Sequence, residues 1–474
     1  MGKILIKCFE TPMQKYFYDR FFNTIVMVND EEYEVLKEVE KTGKIQDEES
    51  LRMFLDNGLL QETVIEGIEH PETDRLKLLT EHYMENLILQ VTQQCNMRCN
   101  YCAYSGNYFN RSHASNRMSF ETAKKAIDFY LARSDKADAI YVSFYGGEPL
   151  LEFELIKQCV DYTLEHKGDK TAGFPMTTNG TLLTEEVIKF LVKHKFTLMI
   201  SLDGDKESHD VNRIFKTGGG SFDTILKNLK ALKKYDEKYY KENVMFNCVI
   251  SNTTDFERVY KFYAESDLFT PDSVSFNYVN KIGLKDDNIS EITQKNRRVE
   301  HLAYIKMVLA VLGKREWDAQ SRMVRRQLQD VELLYDQLHK HSREAKKTHH
   351  GGPCIPSVRR LFVETNGTFF PCERVSEEDE EMSIGSINTG LDYDKLDFFL
   401  NHGKMIQGNC MSCWNLRTCT FCLSEISKEN KKLTENMLFR QCEISKKKTL
   451  SQFRRLCMLA ELGYRGNENL LGSR

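Results

Sequence analysis

The chain has 474 residues, 66 Lys+Arg against 70 Asp+Glu and a formal net charge of −4, a balance that excludes the strongly basic surface of a general nucleic-acid binder. No run of about 18 apolar residues occurs, which excludes a membrane-spanning helix, and Lys3, Lys7 and Glu10 interrupt the N-terminus as a signal peptide would not. A cytoplasmic protein of about three domains is expected, with no nucleic-acid or membrane partner. Composition leaves 14 cysteines unexplained; in a reducing compartment they point to metal binding or chemistry rather than to disulfides.

Residues 1–82 read as a small acidic α+β module. Two short β-rich runs (ILIKCFE, NTIVMVND) precede two amphipathic helical stretches, the second closing on Asn57-Gly58 as a helix C-terminus does. The element order predicts a winged-helix-like unit. Residues 83–285 alternate six β-rich runs (LILQVTQ, AIYVSFYG, GFPMTTNG, FTLMISLDG, NVMFNCVIS, DSVSFNYV) with helical stretches. Continuous apolar runs are expected of strands buried on both faces, and repeated βα units predict an α/β parallel sheet, open or barrel-like. Its chemistry then belongs at the strands' C-terminal ends. Residues 286–350 read as a bridge of long charged helices, 351–445 as a cysteine-rich irregular segment with an acidic loop at Glu377–Glu381, and 446–474 as a basic helix and tail.

After the first strand the sequence runs Cys95-Asn-Met-Arg-Cys99-Asn-Tyr-Cys102. Three thiolates on one tight loop suit a [4Fe–4S] cube, since soft sulfur ligands select iron–sulfur or zinc. A structural zinc site has four protein ligands, and no nearby histidine completes this set. Three donors leave one iron open to an exogenous chelating ligand.

On this C-x3-C-x2-C loop and the Gly146-Gly147-Glu148-Pro149 run after the second strand, the sequence over about 85–285 resembles the radical S-adenosylmethionine (radical SAM) superfamily. The resemblance implies a partial (β/α)6 barrel and a SAM-cleaving cluster on Cys95, Cys99 and Cys102. It also implies that the glycine-rich backbone with Glu148 holds the methionine ammonium. By the same resemblance Asn179, Ser201 and Arg213 contact the ribose or carboxylate of SAM, whereas Asp203 reads as a loop and capping residue. Reductive cleavage of SAM would then yield a 5′-deoxyadenosyl radical that takes a hydrogen atom from the substrate.

The C-terminal cysteines, Cys354, Cys372, Cys410, Cys413, Cys419, Cys422 and Cys442, resemble the SPASM extension, which binds auxiliary iron–sulfur clusters. Cys419 and Cys422 enclose two residues where that pattern has three. The resemblance implies a cluster on Cys410, Cys413, Cys419 and Cys442 and another on Cys354, Cys372 and Cys422, three [4Fe–4S] clusters in all. Seven ligands leave the second auxiliary cluster one short, an open iron suited to a substrate thiolate. His349 or His350, in KKTHHGG, is a substitute ligand, against the plainer reading of a flexible polar loop. Glu373 is a candidate proton acceptor. Cys159 and Cys248 read as packing residues; Cys8 and Cys457 have no assigned role.

The N-terminal module resembles the recognition element of ribosomal-peptide maturases, which adds a leader peptide to its β-edge as a strand. The whole resembles sactipeptide and ranthipeptide maturases of the freyrasin or six-cysteine-peptide type. This implies thioether formation from a Cys sulfur to a carbon of an acceptor residue in a ribosomal precursor, with a ferredoxin or flavodoxin as electron donor. The alternatives are formylglycine formation as in sulfatase maturation, carbon–carbon crosslinking, and a non-catalytic zinc-stabilised peptide-binding protein.

Overall fold

The computed structural model describes residues 2–109, 111–338, 343–351, 354–426 and 433–464; the tail expected after residue 464 lies outside them. Near the N-terminus, three strands, Ile6–Glu10, Lys15–Asp19 and Thr24–Val28, pair in order as an antiparallel meander. The middle strand went unread in the sequence because KYFYD is nearly all buried and does not alternate. Helices Asp30–Thr42 and Arg52–Asp56 follow. The first carries a capping box between Asn29 and Glu32 and stops at Gly43 in the left-handed region, φ 72°. Ile6, Phe17, Leu36, Val39 and Phe54 belong to a small core of their own, while Phe9, Tyr16 and Tyr18 belong to the main one. Arg20 fixes the module in place: its side chain is fully buried, pairs with Glu344 at 2.6 Å, and donates to the carbonyls of Met411 and Cys413 at 2.8 and 3.0 Å.

All six expected parallel strands are present: Asn86–Thr92, Ala139–Gly146, Pro175–Thr178, Thr197–Ser201, Val244–Ile250 and Val274–Tyr278. They pair in that order, with intervening helices such as Phe120–Leu131 and Phe153–His166. The sixth strand ends the sheet, so the barrel is partial. The first strand is buried along almost its whole length. The fifth alternates buried and accessible residues, because in an open barrel the inward face meets a lumen rather than a second layer.

The sheet continues past the first strand into the cysteine-rich segment. Leu361–Val363 pairs parallel with Leu87–Leu89, followed by three antiparallel strands, Thr368–Phe370, Gly385–Ser386 and Gly390–Leu391. One hydrophobic core spans both regions. The basic helix expected from 446 begins at Glu435 and runs to Glu461. Ser445 and Thr449, both buried, interrupt its apolar stripe, which hid the first turns from a periodicity reading. Cys442 therefore sits on this helix rather than in an irregular segment.

Candidate active site

The loop after the first strand is shaped by close backbone approach. Gly147 and Glu148 donate N–H groups to the carbonyls of Thr92 and Gln94, both at 2.9 Å. A Cβ on Gly146 would lie 2.0 Å from the Thr92 carbonyl oxygen, and one on Gly147 2.0 Å from that of Gln94. Only glycine admits this contact, which seats the GGEP turn directly beneath Cys95. The Glu148 side chain is fully buried. Its carboxylate accepts from Leu150 N–H at 3.0 Å, Thr178 Oγ1 at 2.7 Å and Asn179 N–H at 2.7 Å. Burial raises its pKa while these bonds oppose the shift. The carboxylate thus braces the second strand to the third, and an ammonium group at this turn meets backbone. Pro149 opens the short turn Pro149–Glu152.

Asn179 reaches Asn96 Oδ1 at 2.8 Å and stands 4.0 Å from Cys95 Sγ. Ser201 closes the fourth strand opposite Asn247, which accepts from Asn277 at 2.7 Å, so a polar rim lines the lumen. The strand Met97–Cys99 pairs antiparallel with Arg213–Phe215, placing Arg213 opposite Cys99. Arg213 Nη1 lies 3.9 Å from Cys99 Sγ. Its Nε donates to Asp203 Oδ2 at 2.9 Å, and that same oxygen accepts from the Tyr101 hydroxyl. Asp203 Oδ1 accepts from Val249 N–H at 2.9 Å. This corrects the reading of Asp203 as a loop and capping residue: it is the buried counter-ion that aims Arg213 at the cysteine loop. Spacing carried no sign of this, since the contact depends on the Arg213 strand folding back.

Two of the three thiols carry backbone N–H donors, Met97 N–H on Cys95 and Tyr104 N–H on Cys102, both at 3.4 Å. Burial pushes the Cys95 thiol up to about 12 and Cys99 to about 11, opposed by the Met97 N–H at Cys95 and by the Arg213 charge at Cys99. Buried, clustered, N–H-solvated sulfurs are costly as thiolates unless a cationic centre binds them. That donor set fits an iron–sulfur cluster.

The seven C-terminal cysteines fall into two groups. Cys372 feels the charges of Cys422 and Cys354, and Cys354 that of Cys422. Cys410, Cys413, Cys419 and Cys442 line one cavity. Asn409 Nδ2 reaches Cys442 Sγ at 3.8 Å, and Ser445 Oγ lies 3.2 Å from Cys419 Sγ. The polar-loop reading of KKTHHGG is corrected: His349 and His350 are 6% and 3% exposed, because the pair packs on His402 and Phe421. His350 borders the cavity of the four-cysteine group, away from its expected place in the three-cysteine group.

Between the two ends of the site lies a buried polar network that sequence reasoning missed. Glu377 accepts from Gln90 Nε2 at 2.6 Å and from the Tyr104 hydroxyl at 2.8 Å, with Arg111 Nε 3.4 Å away. Arg111 also donates to the carbonyls of Glu373 and, at 2.6 Å, Val375. Its charge acts on Cys102, and Cys372 acts on it, so it stands between the two cysteine sets. Glu377 belongs to the expected acidic loop Glu377–Glu381, and its side chain is only 5% exposed. Glu373, the candidate proton acceptor, is paired with Arg360 at 2.7 Å, and its second oxygen is buried without a partner.

An open parallel barrel with a three-thiol loop at the mouth of its first strand defines a class of cluster-bearing barrel proteins. Residues 89–262 match the family model of the radical SAM superfamily. It is 30% identical over 187 residues to a cysteine-type anaerobic sulfatase-maturating enzyme of Clostridium novyi, covering 38% of this chain and 48% of that one. It is 26% identical over 306 residues to the radical SAM cyclopropyl synthase TigE of Paramaledivibacter caminithermalis, covering 56% and 61%. The solved structure of native anSMEcpe with bound AdoMet superposes with a TM-score of 0.57 at 22% identity, over 80% of this chain and 99% of that one, a likeness of fold. The chain spans about half the length of the sulfatase-maturating relatives it matches. No helix among the described residues is long and apolar enough to cross a membrane.

Proposed function

We propose that this protein is a radical SAM peptide maturase with two auxiliary [4Fe–4S] clusters, and that it joins a cysteine sulfur to a carbon of an acceptor residue. The observation that carries the reading is the separation of the C-terminal cysteines into a four-thiol cavity and a three-thiol group linked through Arg111 to the Cys95–Cys102 loop. When bound, SAM and its cluster supply a carbon radical that takes a substrate hydrogen atom. The chain's part is to hold and shield. Asn179, Ser201, Arg213 and the GGEP backbone would hold SAM, and the buried Gln90–Tyr104–Glu377–Arg111 network would shield the cysteine loop from water. With three cysteines, Cys354, Cys372 and Cys422, this group would leave one iron of a cube for a substrate thiolate. In thioether formation one hydrogen atom would go from carbon to the SAM-derived radical, the sulfur would lose its proton as the thiolate binds, and the remaining electron would pass to the auxiliary cluster holding that thiolate.

The N-terminal sheet supports a peptide substrate. Glu40 accepts from Cys8 N–H of the first strand at 2.7 Å, and Thr24–Val28 is the opposite edge strand, the side on which a leader strand would add. The test is anaerobic co-expression with a Cys-containing precursor and mass spectrometry. Loss of two hydrogens per linkage with disappearance of alkylatable thiols supports the reading. Free thiols beside a modified side chain reject it, and would favour a second reading, formylglycine-type oxidation, which the sulfatase-maturating relatives support.

A further inference from the structure

Outside the cysteine sets, three histidines converge where the bridge segment meets the cysteine-rich region. His349, His350 and His402 are 6%, 3% and 1% exposed, and each offers a ring nitrogen within 4.8 Å of the others. His349 and His350 precede Cys354; His402 opens the turn leading to Cys410.

The hydrogen bonds assign the tautomers. His402 Nδ1 lies 3.0 Å from the Phe399 carbonyl oxygen, so it carries hydrogen and leaves Nε2 bare. His349 Nδ1 lies 3.2 Å from the His350 carbonyl oxygen, and its Nε2 accepts the Gly403 N–H at 3.2 Å, so its Nε2 also bears a lone pair. His350 is hydrogen-bonded to the Cys419 backbone, and its Nε2 stands 3.0 Å from His402 Nε2. A ring whose Nδ1–H is held by a backbone carbonyl while Nε2 is free is the arrangement in which imidazole ligates metal. Gly403 is needed for the approach: a Cβ there would lie 2.8 Å from His349 Nε2.

We infer that His349, His350 and His402 bind one divalent transition-metal ion through their Nε2 atoms, separate from any iron–sulfur cluster. The ion is of the class imidazole favours, zinc above all. It draws in His350 and His402, whose facing nitrogens have the spacing of neighbouring ligands on one ion, and takes His349 Nε2 in exchange for its bond to Gly403. Two of its ligands precede the three-cysteine group and the third precedes the four-cysteine cavity, so the ion fastens the two auxiliary sites to each other.

The test is elemental analysis and zinc-edge X-ray absorption on full-length, anaerobically purified protein supplied with zinc and iron. The expected result is about one zinc per chain with nitrogen scatterers near ~2.0 Å and no sulfur shell at ~2.3 Å. His350→Gln and His402→Gln should each lower zinc at least tenfold with iron unchanged, and His70→Gln, nearby but outside the group, should keep it. Zinc below about a tenth per chain in the wild type, a sulfur shell, or zinc retained in both variants overturns the site; the first would leave the two rings sharing a proton. Should the variants fail to fold, the wild-type absorption spectrum decides alone.

Discussion

Asp203 Oδ2 accepts from Arg213 Nε at 2.9 Å in a pair whose side chains are only 3% and 7% exposed, and the guanidinium so held lies against Cys99. A buried ion pair is a poor source of net stability, but removal of one partner strands the other charge in a low-dielectric site. The pair therefore serves position: it fixes a cation 3.9 Å from Cys99 Sγ.

Asp203→Asn keeps the shape and removes the charge. It is expected to destabilise the protein by about 3 kcal/mol in anaerobic urea denaturation and to reduce 5′-deoxyadenosine formation at least tenfold. Unchanged stability and unchanged turnover together would show that Arg213 is held by its strand pairing with Cys99 alone.

Gly147→Ala tests the close approach. The added Cβ would meet the Gln94 carbonyl at 2.0 Å, and a backbone atom cannot yield as a flexible side chain does. The cost is at least the ~1–3 kcal/mol of an overpacked core, and the displaced loop carries Cys95. Iron should fall by about one cluster's worth, with the visible absorption of the remaining clusters intact. Full iron content would show that the turn and the loop move independently.

Much of the barrel was legible because its strands are long apolar runs and its cysteines and glycines lie close in sequence. Cys95 to Cys102 and Gly146-Gly147 advertise their chemistry by type and spacing. What stayed hidden depends on contacts made across the fold. Asp203 looks like any loop aspartate until Arg213 folds back on it, and Glu377 looks solvated until Tyr104, Gln90 and Arg111 enclose it. His349 and His350 read as a polar loop because their partner, His402, is more than fifty residues away. Helix Glu435–Glu461 lost its first turns to the small polar residues Ser445 and Thr449 on its buried face, of which Ser445 meets Asn415 and Cys419 of the cysteine loop.

His209 gives a pH dependence whose sign can be worked out. Its Nδ1 accepts the Asp203 N–H at 3.1 Å and its Nε2 lies 2.9 Å from Ser221 Oγ, and burial pushes its pKa down to about 4. The unfolded chain takes up a proton near the usual histidine value while the folded one does not. Stability from this residue is therefore full above that value and is lost as pH falls through 6.5 toward 4. Between pH 7.5 and 5.5 the loss amounts to roughly 1 kcal/mol. His209→Gln should flatten that part of the pH–stability curve relative to wild type; parallel curves would show that the ring is protonated in the fold.

The division of the C-terminal cysteines is tested by additivity. Cys413 lies in the cavity shared with Cys410, Cys419 and Cys442, whereas Cys372 interacts with Cys354 and Cys422. If each group holds its own cube, Cys413→Ala and Cys372→Ala should each lower iron by about four per chain. The double variant should lower it by about eight, measured after anaerobic reconstitution with thermal unfolding as a control for folding. A double variant that loses no more iron than either single variant would mean that the seven cysteines serve one cluster, and the open iron beside Cys372 would go with it.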